Sequence, residues 1–89
     1  MSQKPMFSVL DAAANAFALP FACNHVGLAV RAFTDQVNDP EKRTDLARHP
    51  AEFVLYKVGT FDETSGVIIP LDHPELVVQA TAVKNPDNQ

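Results

Sequence analysis

The sequence contains too few cysteines and glycines for several classes of functional site. It has one cysteine, Cys23, and three glycines in 89 residues. A single cysteine excludes an internal disulfide, and no cysteine–histidine spacing typical of zinc sites occurs. The glycines, at 27, 59 and 66, are too far apart to form a phosphate-binding or dinucleotide-binding loop. We therefore expect no metal and no cofactor, and the lone cysteine suits a reducing compartment.

Residue patterns typical of catalysis are also missing. No serine lies in a G-x-S-x-G context. Asp62 and Glu63 could form a carboxylate pair, but they lie in a predicted turn, where aspartate caps backbone amides and glutamate is solvated. His25, with Cys23, could be half of a metal site, but the remaining ligands would have to come from unrelated segments. We therefore expect a protein that is not an enzyme.

Positive charge and long apolar runs are scarce as well. The chain has seven Lys and Arg against eleven Asp and Glu, a net charge of −4. A strongly basic nucleic-acid-binding domain would have the opposite sign, so any such binding requires a local cationic patch. No apolar run approaches the ~18–20 residues of a membrane span. Asp11 and Asn15 interrupt the N-terminal apolar stretch, which is unlike a signal peptide. We expect a cytosolic protein that does not contact a membrane.

The small size of the chain predicts one domain that gains stability by self-association. We expect a single domain over residues 1–89, with a polar leader at about 1–5 and a polar tail at about 84–89. A core of this size supplies roughly 3–5 kcal/mol of net stability. The chain is nevertheless 46% hydrophobic, with apolar residues on both faces of several predicted strands. We therefore expect a homodimer or higher oligomer.

One helix is strongly indicated near the middle of the chain. Asn24 is a suitable N-cap, and the asparagine–aspartate–proline run at 38–40 ends the pattern. Gly27 weakens the first turn, which suggests that another group packs close to it. The apolar stripe has helical spacing: Val26, Ala29, Val30, Phe33 and Val37.

Strand patterns surround this helix. Residues 6–12 and 52–61 alternate as strands do, and the second run leads through a turn at 62–66 into a partner strand that ends at Pro70. Residues 11–15 are expected to form a turn or one helical turn, followed by a short extended piece. A helical turn at 73–76 and a final strand are expected near the C-terminus. The predicted fold is therefore α+β, with a small antiparallel or mixed β-sheet packed against one central α-helix.

The cations are few but unevenly distributed. Three lie in the loop between Pro40 and Pro50, which is also expected to contain a short helical turn around residues 44–48. An aromatic residue beside a lysine on the next strand is an arrangement that could stack a base and meet a phosphate. The candidate nucleic-acid-binding residues are Arg31, Lys42, Arg43, Arg48, Tyr56 and Lys57. Acidic residues interleave with the loop cations, so a merely solvated charged surface is the alternative.

Three ordered motifs resemble one known family. They are RAF-x-D-x-VN, starting at Arg31, HP-x-E-F, starting at His49, and GTFD-x-x-SG, starting at Gly59. In this order and spacing they resemble the small nonstructural protein of gokushovirus-type microviruses, single-stranded-DNA phages of the Microviridae. The resemblance covers roughly residues 6 to 81. The loop at 40–50 is more charged than is usual in that family.

The resemblance implies a non-enzymatic nonstructural protein of the host cytoplasm. Such proteins are commonly assigned DNA binding and a part in the switch from duplex replication to synthesis and packaging of single-stranded genomes. The alternative is a protein-interaction module that contacts the replication initiator or capsid precursors without binding DNA. The acidic composition favours this alternative, whereas the family assignment favours DNA binding.

Overall fold

The structure, a computed structural model, describes residues 2–86 and consists of one antiparallel sheet with one long helix. The sheet follows the order β2-β1-β4-β5, and β3 also pairs with β1. The fold is therefore α+β with an antiparallel sheet, as predicted. The elements are β1 (Gln3–Asp11), β2 (Ala16–Phe17), β3 (Phe21–Ala22), α1 (Val26–Val37), α2 (Asp45–Arg48), a 3-10 turn (Pro50–Glu52), β4 (Phe53–Asp62), β5 (Ile68–Gln79) and α3 (Ala80–Val83).

Helix α1 forms the core with one face of the sheet. Its apolar stripe buries Ala29, Phe33 and Val37, which confirms the helical prediction. The N-cap prediction was wrong, because His25 and not Asn24 occupies that position and its side chain makes no capping hydrogen bond. The stripe is also shorter than expected, since Val26 is 49% exposed. The core residues are Phe7, Ala29, Phe33, Val37, Leu46, Phe53, Leu55 and Ala80.

The predicted C-terminal elements were wrong in part. The strand does not end at Pro70, and no helical turn forms at 73–76. Instead β5 runs through both Pro70 and Pro74 for 12 residues. The expected final strand is present as residues 77–79 of β5, and α3 follows it. Pro70 is tolerated because β5 is an edge strand, where a missing N–H costs no ladder bond on the outer side. Pro74 lies within residues 71–74, which the irregular register leaves without a partner in β4.

The chain ends also differ from expectation. Residues 3–5, predicted as a leader, begin β1 and pair with β4. Met1 of the predicted leader and residues 87–89 of the predicted tail lie outside the described residues.

The two predicted turns are present. Asp11 accepts a bond from the Ala14 amide at 3.1 Å at the end of β1. In the β4–β5 hairpin, Asp62 Oδ1 accepts from the Thr64 amide at 2.8 Å, as a capping aspartate should. Gly66 closes that hairpin with φ +77°, a conformation that glycine adopts without strain.

The opposite face of the sheet has no helix over it. Strand neighbours Val9, Leu55 and Val78 face α1, whereas Leu10 and Val54, one residue along each strand, point away. The molecule measures 45 × 24 × 19 Å, and its smallest dimension suits one helix layer on one sheet layer. We call the uncovered surface the open face and define it by its five large side chains: Leu10, Phe17, Val54, Tyr56 and Leu76.

Candidate nucleic-acid interface

The cationic loop is held by a short helix, as the sequence predicted. Thr44 caps α2 by accepting a hydrogen bond from the Ala47 amide at 3.2 Å. Leu46 and Ala47 are buried and attach the helix to the core beside α1. The polar side of α2 therefore faces solvent, with Asp45 and Arg48 upon it.

Arg43 is bound to acidic residues of its own loop. Its Nε lies 2.9 Å from Asp39 Oδ2, and its Nη2 lies 3.3 Å from Asp39 Oδ1. The Glu41 carboxylate is 3.7 Å from the same Nε. The hydrogen bonds from the Arg43 side chain and backbone lower the pKa of Asp39 to about 2. Most of the positive charge of Arg43 is thus compensated within the loop.

Arg48 is engaged in a similar way. Its Nη2 lies 2.7 Å from Asp45 Oδ1, and its Nη1 donates to the Lys42 carbonyl at 2.8 Å. The second bond brings the three predicted loop cations into one cluster. Both arginines remain exposed, so they can reach an anion only by sharing their guanidinium groups with these carboxylates.

Lys42 lies beside Lys84, a residue that sequence reasoning missed. Asn38, at the end of α1, donates to the Val83 carbonyl at 2.9 Å and accepts from the Asn85 amide at 2.7 Å. These bonds bring Lys84 beside Lys42, where partial burial and the neighbouring ammonium lower the pKa of Lys84. Within residues 2–86 neither lysine forms an ion pair with an acid.

No local signal in the sequence marks Lys84. It is 42 positions from Lys42 in the printed sequence, and it follows α3 as an ordinary polar residue of the tail. The contact depends on the α1–α3 packing, which a periodicity argument does not predict. The Lys42 backbone lies at φ 50°, so its side chain leaves the loop at an angle that an extended residue would not give.

Tyr56 and Lys57 do not share a surface. Lys57 pairs with Phe7, whose side chain is in the core, whereas Tyr56 pairs with Ser8 on the other side of the sheet. Successive strand residues point to opposite faces. The Tyr56 ring instead contacts Phe17 edge-to-face, with centroids 5.5 Å apart. The aromatic residue and the adjacent lysine therefore cannot extend one surface together.

The remaining predicted cation, Arg31, is exposed on α1 and forms no ion pair within residues 2–86. It is on the helix that leads into the loop, as expected. Of the six predicted residues, the structure groups Lys42, Arg43 and Arg48.

Neither a metal site nor an anion pocket accompanies the loop in the described part of the chain. Residues 2–86 contain no group of three or more His, Cys, Asp and Glu side chains that could hold a metal ion. They also contain no helix long and apolar enough to cross a membrane. The groove beside the loop has two carboxylates and one guanidinium, which does not favour an anion. It is lined by Asp35, Gln36, Asp39, Pro40, Arg43 and Thr44.

Comparison with known proteins identifies a family for most of the chain. A family model described as "Phage ORF5 protein" matches residues 4–83. Neither the curated proteins nor the solved structures contain a match to the chain. The matched range includes α1, the cationic loop and the β4–β5 hairpin, so it covers both the core and the candidate interface.

Proposed function

Because the chain belongs to the Phage ORF5 protein family, we propose that it is a non-enzymatic nonstructural protein that binds single-stranded DNA. The setting is infection by a phage of the Microviridae, during the switch to synthesis and packaging of single-stranded genomes in the host cytoplasm. The three sequence motifs that begin at Arg31, His49 and Gly59 support this setting. The protein acts as a homo-oligomer, so that each DNA strand meets several copies of a small cationic site.

The adjacency of Lys42 and Lys84 carries the proposal. Two neighbouring ammonium groups repel each other, and an anion between them removes that repulsion. A DNA phosphate is such an anion, and lysine binds phosphate as a point charge. Arg43 and Arg48 lie in the same cluster and can contact neighbouring phosphates along an extended strand. On an acidic protein this cluster is a local reversal of the overall charge.

The test is the salt dependence of binding to labelled single-stranded and duplex DNA, measured by fluorescence anisotropy. If three or four phosphates are neutralised per copy, log K should fall against log salt with a slope of roughly −2 to −3 for a single strand. The double variant Lys42→Gln, Lys84→Gln should make that slope shallower by about 0.7, because the two lysines share one phosphate and each phosphate contact contributes about 0.7. Single strands should bind more tightly than duplex.

The matched control removes the same charge elsewhere. Arg31→Gln, Lys57→Gln changes the net charge equally but leaves the loop intact, so the slope should change by less than half as much. An equal effect of both double variants would place binding outside the loop. Unchanged affinity and slope in Lys42→Gln, Lys84→Gln would refute phosphate binding at this pair.

A second function has its own support. Because Arg43 and Arg48 are already paired with Asp39 and Asp45, much of the loop charge is unavailable to DNA. A module that contacts the replication initiator or capsid precursors would need no free cations. If the wild-type protein shows no salt-sensitive binding to either form of DNA, this function replaces the first. Co-sedimentation with purified capsid precursors or initiator would then be the measurement.

A further inference from the structure

The open face has the composition of a buried surface. Antiparallel sheets with one solvated face usually carry polar residues there. Here Phe17 is 46% exposed and Leu76 is 53% exposed, and both lie on a surface with Leu10, Val54 and Tyr56. None of these five side chains belongs to the core cluster, because α1 lies on the other side of the sheet.

The open face also carries no charge in its central part. The paired positions beside them are Gln79 and the buried Ser8, both uncharged, in a chain that is 20% charged. Two copies of a protein with a net charge of −4 repel each other, and the repulsion is smallest where the surfaces that meet carry no charge. A face without charge of either sign therefore suits a second copy better than an acidic or basic partner.

The other apolar surfaces suit a second copy less well. Ile68 is 59% exposed in the hairpin, but the ion pair between Lys4 and Glu63 lies at the same end of the sheet. The outer edge of β5 is interrupted by Pro70 and Pro74, which lack the N–H that strand-to-strand pairing requires. Association through the sheet edge is therefore disfavoured, and association through the sheet face is not.

The open face would form the centre of an interface. It extends over the four strands at about 4.8 Å spacing and over residues 54–56 of β4 at about 3.4 Å each, which is about 19 by 10 Å. The ~800 Å² per partner of a standard interface therefore requires that surface flanking the open face is buried with it.

We propose that a second copy of this chain covers the open face, packed sheet against sheet about a two-fold axis. The Phe17–Tyr56 ring pair and Leu76 lie in the buried centre of the interface. The inference rests on the self-association included in the proposed function and does not require that DNA binds. It assigns Tyr56 to the interface between copies and leaves DNA to the loop cations.

The first experiment measures molecular mass by light scattering across micromolar concentrations. The wild type should approach twice the chain mass of 9.7 kDa. Leu76→Lys would bury a charge in each half of the interface, so its dissociation constant should rise at least about 100-fold. Val26→Lys is the matched control, because Val26 is 49% exposed on the helix layer, and it should remain dimeric. A monomeric wild type, or a Leu76→Lys variant as dimeric as the control, would overturn the inference.

The second experiment uses Tyr56 as a built-in probe, because the chain has one tyrosine and no tryptophan. Acrylamide should quench its fluorescence weakly in the dimer and strongly after dilution or in Leu76→Lys. Single-stranded DNA should leave the emission of the dimer unchanged. Quenching by DNA that persists at dimer concentrations would mean that bases reach Tyr56, and would refute an interface there. Failure of DNA binding alone leaves the mass and acrylamide results intact, so the two proposals fail separately.

Discussion

The two faces of the sheet are built from the same strands but differ in how deeply their side chains are buried. On one face Phe7 and Leu55 are fully buried under α1. On the other face Tyr56 is half-buried, although it follows the core residue Leu55. Leu76 is mostly exposed, although the next residue, Val77, packs against the core. Hydrophobicity alone does not separate the two faces. The difference comes from what lies above each face. A helix of the same chain covers one face, whereas the other has only the β2–β3 segment beside Ser8 and is otherwise in contact with solvent.

This contrast explains how a small acidic chain can carry both a core and a second apolar surface. Alternation of apolar residues with polar ones would have made a one-sided sheet. The β4 sequence instead places apolar residues at Phe53, Val54, Leu55 and Tyr56 without a break. A strand that is apolar on both sides needs two cover layers, and α1 supplies one of them.

The largest expected difference in stability between the two sides comes from removing one aromatic ring on each side of the sheet. Phe33→Ala on the covered side should cost about 3–5 kcal/mol, comparable to the whole expected stability, so this variant should be largely unfolded. Phe17→Ala on the open side should cost only about 1 kcal/mol in the monomer, because its ring is half-exposed and loses mainly the contact with Tyr56. Urea unfolding, with the Leu76→Lys background keeping the chain monomeric, measures both.

Equal losses for the two variants would mean that the open face is already packed within one chain. A folded Phe33→Ala protein with near-wild-type melting would mean that α1 does not hold the core.

A smaller effect distinguishes the two faces through hydrogen bonding. Ser8, on the open side, is 2% exposed, and its hydroxyl donates to the Ala18 carbonyl at 2.7 Å. This bond, together with that from the Ala18 amide to Val9, holds the β2–β3 segment against the sheet without a helix. Ser8→Ala should therefore cost about 1 kcal/mol in thermal or urea unfolding. Ser65→Ala, in the exposed hairpin turn, is the control and should stay within about 0.5 kcal/mol of wild type.

The smallest expected effect concerns the pKa of Asp39 in the cationic loop, and it should leave both faces of the sheet unchanged. Folding lowers the pKa of Asp39 from 3.8 to about 2, through hydrogen bonds from Arg43. The stabilisation of the loop is therefore fully present above pH 3.8 and is lost as pH falls through about 2. A carboxyl titration by NMR should give this low midpoint, and Arg43→Gln should return it towards 3.8. A normal midpoint in the wild type would show that the ion pair does not form in solution.

The sequence predicted the central elements well because their signals are local. The stripe through Phe33 and Val37 has helical spacing, Thr44 caps a helical turn, and Asp62 caps a hairpin turn. Each of these structures depends on residues within a few positions of one another. Element β5 was predicted poorly because Pro70 would end a central strand but does not end an edge strand, and edge position is a property of the whole sheet.

The candidate site divides in the same way. The grouping of Lys42, Arg43 and Arg48 was predictable because one short loop contains all three. That Arg43 and Arg48 would be paired with Asp39 and Asp45 was an open alternative, and only side-chain geometry decided it.

The sequence by itself determined the α+β class, the helix, the hairpin and the loop, because each is specified by periodicity, capping and turn chemistry within a short window. Only the tertiary structure decided that Lys84 meets Lys42, since Asn38 joins segments 45 residues apart. It also decided that Tyr56 and Lys57 lie on opposite sides and that one apolar face has no cover. Burial is a relation between distant segments, and the residues of a single strand do not record which of its faces a helix will reach.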